Sequence, residues 1–274
     1  MVKGTLTVNG LQIGGTSPVK IMGVINLSPE SFYSDSIVTG DKEILSRAKQ
    51  MIDEGADILD IGGASTAPSK YYDTKDISTK TELKRIISSL DILVKAVDVP
   101  ISIDTTSAVV AEAALNIGAM IVNDVTGLQG DSNMATLVAE QDVPVIIMAH
   151  CPGGCKSVTD SYDALKKSLR IADSAGIPED KIILDPGIGF GKPPEVDIEI
   201  IRNLQRFHDF QKPVLVGISR KAFIGAILNE KDPKNRLIGS LATTAIAVVN
   251  GADIVRTHDV METRLTVQMA EPFR

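Results

Sequence analysis

Tryptophan is absent from this chain of 274 residues, and aromatic residues make up only 4% of it. So few flat side chains argue against a base-stacking surface for single-stranded nucleic acid. Positive charge is also short. Lys and Arg number 28 against 35 Asp and Glu, giving a net charge of −7. A chain this acidic does not attract a phosphate polymer across its whole surface, though a local basic pocket is compatible with it. No run of eighteen apolar residues occurs, and the start Met1-Val2-Lys3-Gly4-Thr5 lacks the apolar core of a signal peptide. The expectation is a cytoplasmic protein.

The common nucleotide motifs are missing as well. Gly187-x-Gly189-x-Gly191 is not the dinucleotide GxGxxG, and no Gly-Lys-Ser/Thr phosphate loop occurs, which excludes the usual kinase, ATPase and nicotinamide chemistries. Ser65 and Ser219 have no activating His set by the sequence. Cysteine is confined to Cys151 and Cys155, four apart in His150-Cys-Pro-Gly-Gly-Cys155. Two thiols do not make a disulfide framework. With His150 they would supply three metal ligands, but no fourth is placed. They are expected to be loop thiols without a role.

What the chain does have is one pattern repeated. Ile182-Ile183-Leu184-Asp185 runs apolar into a carboxylate, followed by Pro186, three spaced glycines and Lys192. Similar short runs fall at 20–26, 56–62, 100–104, 119–124, 143–149, 212–219 and 251–257. Helical patterns lie between them near 42–54, 77–97, 108–117, 132–141, 160–175, 195–208 and 234–250, with a last one at 260–271. Leu83, Ile86, Ile87, Leu90 and Val94 show the helical spacing. Gly55, Gly118, Gly176 and Gly251 stand where left-handed caps would end helices. Asn9-Gly10 within the alternating stretch 4–13 is a hairpin signal. Eight strands rich in Val and Ile, alternating with eight helices, predict a (β/α)8 TIM barrel (19–271) behind an N-terminal β-hairpin (1–18). A doubly wound open sheet is the alternative.

In such a barrel, chemistry collects just after each strand. Those positions hold Asn26, Ser65-Thr66, Asp104, Asn123-Asp124, His150, Asp185, Ser219-Arg220-Lys221 and Arg256-Thr257-His258. Any one Asp or Asn there reads as a helix cap. Eight polar ends at once do not, and Lys221 and Arg256 are not capping residues. Asp104, Asn123, Asp185 and Lys221 together mix donors with acceptors, which suits the edge of a flat heterocycle such as a 2-amino-4-oxo ring. A plain Asp185–Lys221 ion pair is the competing reading. Arg256 and His258 follow the eighth strand, on the side where barrels bind phosphate. Asn26 offers a neutral oxygen to a Mg²⁺ that would also take diphosphate oxygens.

Several stretches resemble the dihydropteroate synthases of the pterin-binding superfamily. They are Met22-Gly-Val-Ile-Asn26 through Phe32, Asp60-Ile-Gly-Gly63 with Ser65-Thr66 and Pro68, Ile103-Asp104-Thr105, Asn123-Asp124-Val125, Asp185-Pro-Gly187 through Lys192, Ser219-Arg-Lys221, Gly239-Ser240, and Arg256 with His258-Asp-Val260. The likeness spans residues 20–271 in order. It implies condensation of 6-hydroxymethyl-7,8-dihydropterin diphosphate with 4-aminobenzoate, or a modified arylamine, releasing diphosphate in folate or folate-analogue biosynthesis. By the same resemblance, Asp104, Asn123, Met148, Asp185, Phe190, Gly217 and Lys221 hold the pterin. Thr66, Arg256 and His258 hold diphosphate, and Lys70 is the expected substitute for a family arginine absent here. Ser219, Arg220 and Lys221 face the arylamine, and Asn26 helps hold Mg²⁺. Lys221, Asp104 and Asp185 are the expected catalytic groups, and a homodimer is the expected assembly. The family's Glu-Ser-Thr-Arg-Pro-Gly loop reads Ala64-Ser-Thr-Ala67-Pro-Ser69 here, so Ala67 replaces its arginine, and Lys70 offers a point charge instead of a fork. Two rival readings remain at this point: a methyltransferase moving a methyl group from a reduced pterin to a corrinoid protein, and a pterin-binding protein without catalysis.

Overall fold

The hairpin signal at Asn9-Gly10 is met in the computed structural model, which describes residues 4–28, 40–65 and 77–274. Strands β1 (Thr5–Val8) and β2 (Leu11–Gly14) pair antiparallel across it. Asn9 and Gly10 have φ of 46° and 78°, the left-handed pair that a tight turn between twisted strands requires.

Eight parallel strands follow: β3 (Lys20–Asn26), β4 (Ile58–Gly62), β5 (Ile101–Asp104), β6 (Ile121–Asp124), β7 (Val145–Met148), β8 (Ile182–Asp185), β9 (Leu215–Gly217) and β10 (Ile254–Thr257). Their order is β8-β7-β6-β5-β4-β3-β10-β9. A bridge from Leu184 to Val214, with Leu184 N–H donating to Pro213 O, joins the two ends into a barrel. The open-sheet alternative is thereby excluded. The helices are α1 (Asp41–Glu54), α2 (Thr79–Val94), α3 (Ala108–Ile117), α4 (Met134–Gln141), α5 (Val158–Ala175), α6 (Pro194–Arg202), α7 (Ala222–Leu228), α8 (Leu237–Val249) and α9 (Val260–Ala270). Local chemistry sets their ends. Ser157 accepts the Asp160 N–H at 3.1 Å to open α5, and Gly176 at φ 82° closes it.

Two differences from expectation have local causes. Helix α7 went unread because its seven residues, Ala-Phe-Ile-Gly-Ala-Ile-Leu, are too few to show a helical period. Strand β9 is three residues instead of the eight read from 212–219. Pro213 has no N–H to give a ladder, and Arg220 turns the chain away at φ 57°.

Side-chain parity then decides what faces the barrel axis. Met22, Ile58, Ile121, Ile146, Ile183, Leu215 and Ile254 form one buried cluster with Leu6, Val8 and Ile13 of the hairpin. The hairpin is therefore a plug under the barrel's floor. Because strand side chains repeat every two residues, the next inward positions are Val24, Asp60, Asn123, Met148, Asp185, Gly217 and Arg256, with Ser102 leading to Asp104. Between barrel and helices lies the larger apolar core, including Ile25, Leu59, Ile86, Leu90, Val122, Leu184 and Phe207.

Candidate active site

One layer above the plug ring, polar side chains replace apolar ones, and they converge. Asp60 is fully buried in mid-strand, and Asp104, Asn123 and Asp185 are buried beside it. Arg256 binds two of them, with Nε donating to Asp60 Oδ2 at 2.6 Å and Nη2 to Asp104 Oδ2 at 2.7 Å. Asn123 Nδ2 donates to the same Asp60 oxygen at 3.1 Å. The other oxygens, Asp60 Oδ1 and Asp104 Oδ1, are buried with no hydrogen-bond partner among the described residues. An unmet buried carboxylate oxygen is costly. Two in one mouth mark a place where a ligand's N–H groups would be welcome.

Asp185 accepts the Gly187 N–H on Oδ1 at 2.7 Å. Lys221 reaches across from the start of α7, donates to Ile188 O at 2.6 Å, and lies 4.1 Å from the centre of the Phe190 ring. Gly189 permits that approach, since a Cβ there would sit 2.2 Å from Lys221 Cδ. Gly217 lies beside both cations, its Cβ position being 3.9 Å from Lys221 Nζ and 4.0 Å from Arg256 Cβ, ordinary contact distances. Met148 is buried at the end of β7. The sequence-expected pterin residues thus share one mouth. No direct Asp185–Lys221 hydrogen bond is formed among the described contacts, so a plain ion pair does not account for them.

The electrostatics follow from burial. Asp104 is lifted from 3.8 to about 7, first by burial and then by Asp60, Glu82 and Asp124, against the pull of Arg256. Asp185 is lifted by burial, with Lys221 and the Gly187 N–H opposing. Burial pushes Lys221 down to about 8, while Asp185 resists. His258 falls to about 3 through burial and the neighbouring Arg256, Arg220, Lys221 and Arg47. His258 is therefore a neutral imidazole among cations, a setting that favours an anion.

The remaining expected residues divide. Ser219 Oγ lies 2.9 Å from His258 Nδ1 and accepts the His258 N–H at 3.3 Å. Arg220, an expected arylamine contact, is buried and engaged with protein. Nε and Nη2 fork onto Asp259 at 2.9 and 2.7 Å, and Nη1 donates to Pro233 O and Lys234 O. Arg220 stands in a left-handed turn just after β9, with its side chain on Asp259, just after β10. Asp124 takes the Thr126 and Leu128 N–H groups, each at 2.8 Å, and so ties the turn after β6; it does not open the next helix, whose N-cap is Asn133. Thr66, Ala67 and Lys70 lie outside the described residues.

Cys151 and Cys155 require a correction. They are joined by a disulfide, with Cα atoms 5.1 Å apart. Gly153 and Gly154, at φ 78° and 87°, fold the chain back so that Gly154 N–H donates to Cys151 O at 2.8 Å. That bond also removes the thiol-metal reading. Among the described residues no group of three or more His, Cys, Asp or Glu could hold a metal. The sequence reading also assigned no role to Asp60, Lys192, Asp197 or Asp259. A charge inside the apolar run Ile58-Leu-Asp-Ile-Gly62 was the available signal for Asp60. Asp197 and Asp259 carried none.

A family model described as pterin binding enzyme matches residues 22–258. A dihydropteroate synthase of Clostridium beijerinckii is 39% identical over 255 residues, covering 92% of this chain and 93% of that one. A Clostridium difficile dihydropteroate synthase, solved in the presence of pteroic acid, is 40% identical with a TM-score of 0.85, covering 93% of this chain and 97% of that one. The Xanthomonas albilineans dihydropteroate synthase with 4-aminobenzoic acid is 32% identical with a TM-score of 0.88, and 98% of each chain is covered. With its inward ring, its Gly-rich loop and these likenesses over nearly its whole length, the chain belongs to the pterin-binding enzymes, alongside the dihydropteroate synthases.

Proposed function

We infer that this chain is a dihydropteroate synthase, a transferase of folate biosynthesis. It joins 6-hydroxymethyl-7,8-dihydropterin diphosphate to 4-aminobenzoate. The observation that carries this reading is the convergence of Asp104, Asn123, Asp185 and Lys221 on one mouth, with two carboxylate oxygens still unmet. Asp185 and Asp104 accept from the N–H groups of the pterin edge, and Asn123 both gives and takes. Phe190 and Met148 flank the ring, while Gly217 leaves space for it. Lys221, Asp104 and Asp185 are the proposed catalytic groups, because they hold the ring while charge develops at its exocyclic carbon. There the C–O bond to diphosphate breaks and the C–N bond to the arylamine forms. The amine proton leaves to solvent.

Arg256, with Nη1 unengaged among the described residues, and neutral His258 lie on the diphosphate side. Thr66 is assigned to diphosphate on the family resemblance, and Lys70 as the substitute for the arginine that Ala67 replaces. Ser219 and Lys221 face the arylamine, and Arg220 holds Asp259 and the loop beneath them. Asn26 Oδ1, on the rim beside Gly62, fits a Mg²⁺ that arrives with diphosphate: one amide oxygen, without a carboxylate cage, leaves a hard cation its waters. Bound there, Mg²⁺ would neutralise charge on the departing diphosphate. Among the described residues no helix is long and apolar enough to cross a membrane, which accords with a cytoplasmic enzyme. The outer face of α8 and α9, with Ile238, Ile246, Leu265 and Met269 exposed, suits a second copy of the chain, the homodimer implied by the resemblance. Sedimentation of Ile238→Glu beside wild type tests that assembly. The function is tested by diphosphate release from pterin diphosphate with Mg²⁺ and a panel of arylamines. Absence of release with every arylamine, beside tight binding of a methyl-pterin, would overturn it.

A further inference from the structure

Beneath the pterin mouth lies a pair of charges that touches no expected substrate. Lys192 is 2% exposed, among the largest of the fully buried side chains of the described residues. Its ammonium donates to Gly187 O. Asp197, 1% exposed in the first turn of α6, accepts the Gly189 N–H on Oδ1 at 2.8 Å. The two flank Pro193-Pro194, which fix where that helix starts.

The loop they hold has little rigidity of its own. Gly187, Gly189 and Gly191 have φ of 75°, 77° and 72°, and glycines in that region are drawn from a broad set of conformations. Pins therefore decide its shape. Asp185 takes the Gly187 N–H, while Lys192 and Asp197 hold Gly187 O and the Gly189 N–H. Ile188, between the pinned glycines, offers its carbonyl to Lys221. Burying an ammonium and a carboxylate is expensive beside an apolar pair of equal volume. Their place at the loop that moors Lys221 points to a role beyond filling space.

We propose that Lys192 and Asp197 are positioning residues: they brace the 186–191 loop so that Ile188 O holds the Lys221 ammonium beside Phe190 and Asp185. The proposal rests on the synthase reading, which wild-type diphosphate release tests separately. The charged groups facing Lys221 are Asp185 and Asp197, which favour its charged form, and Arg256 and Lys192, which disfavour it. The brace thus carries two opposite charges whose effects on Lys221 oppose each other.

That opposition gives a signature no merely structural residue would produce. Lys192→Met and Asp197→Asn both loosen the loop, so KM for pterin diphosphate should rise about ten-fold, the loss of one hydrogen bond to a charged group. The alkaline limb of the kcat/KM profile should move in opposite directions, to higher pH in Lys192→Met and to lower pH in Asp197→Asn. Asp197→Glu, which keeps the charge, should restore the limb. An unmoved limb in Asp197→Asn, or limbs that move together in the two variants, overturns the proposal. If Lys192→Met does not fold, the Asn and Glu variants at 197 decide alone: a lowered limb restored by Glu supports the brace, and an unmoved limb refutes it.

Discussion

Asp104→Asn should make the empty protein more stable at pH 8 while crippling the site. Asp104 is buried, and one of its oxygens has no partner among the described residues. Burial, reinforced by Asp60, Glu82 and Asp124, lifts its carboxyl from 3.8 to about 7. A carboxyl raised in the folded state binds its proton more tightly there than in the unfolded chain. Its contribution is whole below about pH 4 and is lost as pH climbs through 7. Above that, the charged group costs a ceiling of roughly 4 kcal/mol. Asn keeps an acceptor for Arg256 Nη2, but its amide N–H groups take the place of Oδ1, which has no partner among the described residues, and that takes back about 1 kcal/mol. The net gain at pH 8 is then roughly 3 kcal/mol, or roughly 5–10 °C in Tm for a chain of this size.

Thermal melts at pH 5 and pH 8 test this. The variant's lead should be small at pH 5 and full at pH 8. A saturating pterin ligand should erase it, because ligand at about 100 times Kd adds about 2.7 kcal/mol to the wild type alone. A variant that melts below wild type at pH 8 would show that the Arg256 pairing outweighs burial. An equal lead at both pH values would show that ionisation is not the cause.

Other changes have equally direct readouts. Asp185→Asn should weaken pterin binding about ten- to a hundred-fold with the fold intact, and unchanged affinity by calorimetry would remove Asp185 from the pocket. Arg256→Ala strands the buried Asp60 and Asp104, so denaturant unfolding should show a loss of roughly 3–5 kcal/mol; a loss under 1 kcal/mol would mean that neither pair matters to the fold. Reducing the Cys151–Cys155 bond, which closes a ring with a separation of only four, should lower stability by roughly 2 kcal/mol. In a reducing compartment the ring would stand open, and identical melts for wild type and Cys151→Ser/Cys155→Ser would deny it any effect. If Lys70 serves in place of the arginine missing at 67, Lys70→Ala should lower turnover more than pterin-diphosphate affinity, since a contact to a departing oxygen strengthens in the transition state. A silent Lys70→Ala in an active enzyme refutes that substitution.

The barrel was legible because its strands are buried on both faces and read as continuous apolar runs, as in Ile182-Ile183-Leu184. The mouth was legible for a related reason: a polar residue that ends such a run, as Asp185 or Asn123 does, has nowhere to point but the strand's carboxyl end. Contacts between distant segments were not legible. Asp259 and Arg220 lie 39 positions apart, and nothing in either neighbourhood announces the fork between them. Arg220 therefore read as a ligand contact when its own turn buries it. The disulfide escaped for a different reason. Spacing alone does not bring two Cα atoms within bonding reach; the left-handed Gly153 and Gly154 do, and that conformation is set by the loop's packing on Gly191, where a Cβ at Gly154 would lie 2.3 Å from the Gly191 oxygen.

The same burial that makes the empty mouth costly explains what it is shaped to receive. Asp104 and Asp185 are both lifted, and Lys221 and His258 are both lowered. Each shift runs against the charged form, as desolvation without enough partners demands. A ligand that carried only acceptors would meet Lys221 but leave Asp60 and Asp104 unmet. A ligand that carried only donors would do the reverse. A planar ring with N–H groups and ring nitrogens on one edge relieves both at once, and the relief is largest where the protein alone is least satisfied. Affinity here comes from interactions that folding leaves unfinished. The pterin contacts should for that reason be residues whose neutral replacements stabilise the empty protein at a pH where the native group is charged, as worked out above for Asp104.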